Sequence, residues 1–126
     1  MVKVNFIGRL GNNMFQYAIG RIIAEYKGYK LDCPQLPYFA NAVNIDGDIK
    51  EDNLLHITTP QHFNLQQVQE HSGKIQLDTF AQRMEYYENY GYKLKQWFNV
   101  SAINREIPTP HDLVLHLRLE DYNFHN

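Results

Sequence analysis

The chain has 126 residues, the size of one ordinary domain. Hydrophobic residues make up 44% and charged residues 21%, which is the balance of a folded globular protein and excludes a disordered one. With 12 basic and 14 acidic residues the net charge is −2, so there is no positive surplus for binding a phosphate backbone, and a nucleic-acid partner is not expected.

Val2, Val4, Phe6 and Ile7 form a β-rich run that Gly8 ends. Gly8-Arg9-Leu10-Gly11-Asn12 follows as a loop. Phe15, Ala18, Ile19, Ile22, Ile23 and Tyr26 then recur at helical spacing and predict one apolar stripe. Asn12 is expected as the N-cap of this helix and Gly28 as its C′ residue. Tyr29–Leu31 reads as a second strand, which completes a βαβ start. Leu54–Ile57 reads as a short strand, and Thr59 or Pro60 as the opening of a helix over Phe63–Val68. Lys74–Thr79 alternates as a strand does. Phe80–Tyr90 is aromatic-rich and expected to be helical, with another helix over Leu94–Phe98. Asn104–Asp112, with Pro108 and Pro110, reads as a linker. Leu113–Leu119 reads as a strand with four leucines on one face and Val114, His116, Arg118 and Glu120 on the other.

Cys33 is the only cysteine, which fits a reducing compartment and a small packed residue better than a nucleophile. The longest apolar runs are a few residues, far short of the ~20 of a membrane span, and no secretion signal opens the chain. The expected location is cytoplasmic, or peripheral at the inner membrane face. The six histidines show no ligand spacing, so no metal and no cofactor are expected.

Two loops carry candidate chemistry. Gly8–Asn13 lies between a strand and a helix N-terminus, where free N–H groups and the helix dipole favour anions. It matches neither Gly-x-Gly-x-x-Gly nor a P-loop. Arg118 falls near the carboxyl end of its strand, where open α/β sheets bind ligands, and its forked guanidinium suits a diphosphate. A tight capped turn and a solvated edge strand explain the same two patterns without function.

Gly8-Arg9-Leu10-Gly11-Asn12-Asn13-Met14-Phe15-Gln16-Tyr17-Ala18 resembles the opening of α-1,2-fucosyltransferases, where Gly-x-Leu-Gly-Asn-Gln-Met-Phe-Gln-Tyr-Ala follows the first strand. His116-Leu117-Arg118-Leu119-Glu120-Asp121-Tyr122 is similar to that family's His-x-Arg-Arg-Gly-Asp-Tyr motif. Leu77-Asp78-Thr79-Phe80-Ala81-Gln82 with Tyr86-Tyr87 looks like a degraded form of its aromatic Gly-Tyr-Phe-Gln segment. The three segments keep the family's order and cover about a third of the chain.

The resemblance implies an α/β fold, the Rossmann-like N-terminal lobe of a GT-B glycosyltransferase, cut off at the start of the donor lobe. Residues 1–107 would be the N-terminal lobe, and 108–126 a linker plus the first strand of the GDP-fucose-binding lobe. It implies inverting, metal-independent transfer of fucose from GDP-fucose to a galactoside hydroxyl in an α-1,2 linkage. Arg118 would hold the diphosphate and act as the catalytic residue. Gly11, Asn12, His116, Asp121 and Tyr122 would line the donor or substrate site. Three residues depart from the family pattern: Leu119 replaces an arginine and removes a charge, Glu120 replaces a glycine and adds a negative one, and Asn13 replaces a glutamine. Because the guanine pocket would belong to the missing donor lobe, the isolated chain is expected to bind the donor weakly or not at all and to be inactive. The alternative is a non-catalytic α/β module that binds a glycan or a partner. Asp78, Glu85 and Glu88 are carboxylates near the aromatic segment, read more simply as a solvated helix face. Tyr86, Tyr87, Tyr90, Tyr92, Trp97 and Phe98 are expected in the core more than on a sugar.

Overall fold

The computed structural model describes residues 1–58 and 62–99. Its elements are β1 (Val2–Val4), α1 (Leu10–Lys27), β2 (Leu31–Asp32), β3 (Leu55–Thr58), α2 (Leu65–Glu70), β4 (Ile75–Asp78), a 3-10 turn (Met84–Tyr86) and α3 (Gly91–Trp97). The four strands form one parallel sheet in the order β2-β1-β4-β3. This is an α/β architecture built on βαβ units.

The topology follows from the two crossovers. β1 passes through α1 to β2, and β3 passes through α2 to β4, each shifting one place in the same direction across the sheet. Right-handed connections then put both helices on one face. α1 and α2 do touch. Beneath them lie Val2, Val4, Leu31, Ile57, Ile75 and Leu77, all buried. Register places Val4 beside Leu77 and Leu77 beside Ile57, so these side chains form one apolar surface.

α1 is buried on more than the predicted stripe. Ile19, Ile22, Ile23 and Ala24 are buried, and so are Met14 and Tyr17, while Tyr26 is exposed. The aromatic segment that follows β4 explains the difference. It packs back over α1, with Tyr17 edge-on to Trp97 at 6.2 Å and Phe15 against Tyr87 at 5.6 Å. Each large side chain buried this way stabilises the fold by about 1.5–3 kcal/mol. Gly20 allows the close approach of α1 to the sheet, since a Cβ there would collide with Val4 Cγ2 and press on Leu31 Cδ1 at 3.2 Å.

Several element boundaries move from those expected. The first strand is short because Ile7 leaves the ladder and pairs with a side-chain amide instead. α2 is opened by Asn64, whose side chain accepts from Gln67 N at 3.0 Å, and it runs to Glu70. Thr59 and Pro60, expected to open it, lie outside the described residues. Phe80–Tyr90 is not a helix. Ala81 sits at φ 53°, a left-handed position that stops helical propagation, and only a 3-10 turn forms at Met84–Tyr86. The rings take different partners: Tyr87 packs on Phe15 of α1, Tyr86 stacks on Phe63, and both are buried with Trp97, whereas Tyr92 is exposed. The linker at Asn104–Asp112, the strand at Leu113–Leu119 and the boundary between 107 and 108 lie outside the described residues.

Candidate active site at the carboxyl edge of the sheet

The turn after β1 is set by Gly8, at φ 80°. A Cβ at this position would also collide with Asn12 Nδ2, so the turn and the first helical turn press together. The helix begins at Leu10, with its N-cap three residues before the expected Asn12. Arg9 is the N-cap and makes no side-chain capping bond, and no acidic residue lies in the first turn. Among the described residues, the first N–H groups of this 18-residue helix therefore lack the usual side-chain acceptor at the positive end of its dipole.

Asn12 is not the N-cap because it lies within the first turn of the helix and its side-chain amide is engaged elsewhere. Its Oδ1 accepts from Gln82 Nε2 at 2.6 Å. This bond ties the loop after β1 to the loop after β4. Gly11 is buried in the same first turn. Asn13 Nδ2 donates to Ile7 O at 3.1 Å and to Gln16 Oε1 at 3.1 Å.

Gln16 is the residue that sequence reasoning left out of the site. It is 1% exposed. Its Oε1 accepts from Ile7 N at 3.0 Å and its Nε2 donates to Ile7 O at 3.0 Å. The side-chain amide thus copies the pairing of a neighbouring strand and fixes the loop between β1 and α1. A glutamine inside an apolar helical stretch was the available signal, because a buried amide must have partners.

A second polar group lies on the opposite face of the sheet. Lys3, Asn5, Asp32, His56, Gln76 and Asp78 alternate with the core residues, so they share that face. None is buried. Lys3 Nζ lies 3.3 Å from Asp32 Oδ2. Asp78 Oδ1 accepts from Asn5 Nδ2 at 2.7 Å, while Oδ2 accepts from Gln76 Nε2 at 3.0 Å and meets His56 Nε2 at 2.5 Å. Partial burial pushes the Asp78 carboxyl up, but the hydrogen bonds from Asn5, His56 and Gln76 outweigh it and hold the group below its ordinary value. Asp78 is therefore a strand-end carboxylate on the sheet, not part of a helix face. Glu85 instead pairs with Arg83 on the 3-10 turn, and Glu88 is exposed.

Cys33 is buried, and that burial, followed by the charge of Asp32, pushes its thiol up to about 12. His116, Arg118, Asp121 and Tyr122 lie outside the described residues, so of the expected site only Gly11 and Asn12 are located. They come together with Gly8, Asn13, Gln16 and Gln82 at the carboxyl edge. No helix among the described residues is long and apolar enough to cross a membrane.

Comparison with known proteins found no matching family model, no matching curated protein and no matching solved structure.

Proposed function

We propose that this chain is fucosyltransferase-like, with the loop between β1 and α1 holding the diphosphate of GDP-fucose for transfer to a galactoside hydroxyl. The observation that carries the reading is the uncapped N-terminus of α1 at the carboxyl edge of a parallel sheet, held open by the Gly8 turn and the Asn12–Gln82 bond. Such a terminus offers converging N–H donors and a positive dipole end to an anion. It also falls within the segment whose sequence resembles α-1,2-fucosyltransferases. Arg118 is the proposed cationic partner, neutralising charge on the departing diphosphate. Leu119 and Glu120, which remove one expected arginine and add an acid, favour a second reading as a non-catalytic glycan-binding module.

The test is a 1H–15N spectrum of the chain with GDP or GDP-fucose at millimolar concentration, where a dissociation constant near 1 mM corresponds to about −4 kcal/mol. The amides of Leu10, Gly11 and Asn12 should move with either nucleotide and stay still with guanosine. Equal shifts with guanosine, or no shift with GDP-fucose, would refute the assignment.

A further inference from the structure

The polar sheet face has no helix packed on it among the described residues. A parallel sheet normally has both faces covered. Near its carboxyl edge stands one titratable pair, His56 with Asp78, whose side chains are 43% and 25% exposed. The pair is built from three adjacent strands. β4 supplies Asp78 and Gln76, β3 supplies His56, and Asn5 follows β1 directly. Three donors fix the carboxylate, so its position does not depend on the histidine alone.

The chemistry of the pair is set by that geometry. An ionised carboxylate only accepts hydrogen bonds, so His56 Nε2 carries the proton and donates it. In the neutral ring Nδ1 then bears the lone pair, and no described group bonds it. A carboxylate behind an imidazole fixes the tautomer and stabilises the imidazolium formed when the ring takes a proton. The spacing to the anion site is also constrained. From Asp78 to Gln82, which holds Asn12, there are four residues, a span of at most about 14 Å.

We propose that His56 is the proton acceptor for the acceptor sugar's hydroxyl, with Asp78 as its positioning residue, and that the acceptor lies on the bare polar face. This rests on the fucosyl-transfer reading above. As the hydroxyl oxygen bonds to the anomeric carbon of the donor, its proton passes to His56 Nδ1. The bond from the anomeric carbon to the phosphate oxygen breaks, and that electron pair leaves with GDP. The imidazolium then returns its proton to water.

The experiment uses the whole chain labelled with 15N, methyl β-D-galactopyranoside as the hydroxyl probe and GDP as the anion probe. The His56 ring signals are assigned by their loss in His56→Gln. The expected spectrum shows the Nε2–H tautomer and a His56 shift on adding the galactoside. In Asp78→Asn the tautomer preference should be lost, with the galactoside shift reduced at least tenfold. A galactoside shift at His56 with no GDP shift at residues 10–12 would support the hydroxyl site and overturn the donor assignment. A GDP shift at residues 10–12 with His56 unmoved by the galactoside would overturn this proposal and leave the donor assignment standing. No response to either probe overturns both. Should Asp78→Asn fail to fold, His56→Gln decides: unchanged galactoside shifts at Asn5 and Gln76 in that variant overturn the proposal.

Discussion

Replacing Gln16 tests how the loop between β1 and α1 is held. In Gln16→Ala, Ile7 N loses its partner, Ile7 O keeps only the bond from Asn13 Nδ2, and Asn13 Nδ2 loses one of its two acceptors. A buried unsatisfied backbone group costs about 1–3 kcal/mol, and Ile7 is half-buried, so leaving Ile7 N unpaired should cost about 1–3 kcal/mol. At a urea dependence of ~2 kcal/mol per molar, the unfolding midpoint should fall by about 0.5–1.5 M. Gln16→Glu separates hydrogen bonding from packing, because the two side chains have nearly the same shape. The protonated acid can accept from Ile7 N and donate to Ile7 O as the amide does. The carboxylate cannot donate, and it faces Ile7 O without a proton. The folded-state pKa of this glutamate should therefore lie above its unfolded value of ~4.3. A raised folded pKa gives a contribution fully present below the unfolded pKa and lost as pH rises through the folded one. The deficit of Gln16→Glu relative to wild type should be small at pH 4 and grow towards pH 8, read by circular dichroism in urea with both proteins at each pH. The reasoning is refuted if that deficit is the same at both pH values, or if Gln16→Ala costs less than about 0.5 kcal/mol.

Two further predictions concern the core. Gly20→Ala should destabilise the chain by about 1–3 kcal/mol, because the added methyl meets Val4 and Leu31. In a Val4→Ala background the collision is relieved, so the two substitutions should couple by at least ~0.5 kcal/mol in chemical denaturation, and strict additivity would count against the close contact. Cys33, buried and with its thiol pushed up to about 12, should resist aromatic disulfide reagents at pH 8 in the native protein and react in denaturant. Native labelling within seconds would contradict the burial.

The strands were legible because period-2 alternation records two different faces: Ile75 and Leu77 point to the core, and Gln76 and Asp78 point away. α1 was legible from its 3.6-residue period and its Gly28 stop. Its start was not, because the turn is governed by the backbone angle of Gly8 and by contacts of Asn12 with a loop 70 residues away. Phe80–Tyr90 misled for a similar reason. Its rings are spaced by separate tertiary partners, Phe15 for Tyr87 and Phe63 for Tyr86, not by a helix of their own, and Ala81 interrupts the path. At the site, Gly11 and Asn12 could be named from the Gly-rich loop. The His56–Asp78 pair could not, since 22 residues separate its members and only the register of β3 on β4 joins them.

That register bears on where a substrate could lie. In open α/β sheets, ligands settle outside the carboxyl ends where neighbouring connections diverge. Here the loop after β1 enters α1, and the segment after β4 returns over α1 on the same side, where Tyr87 OH donates to Phe15 O at 3.0 Å. The Asn12–Gln82 bond joins the two loops across β1 and β4. On the helix side the carboxyl edge is thus occupied by the chain's own packing. Among the described residues the polar face carries no such packing, and Asn5 and Asp78 project there from the same two strands. The proposed sugar would therefore approach the carboxyl edge from that face.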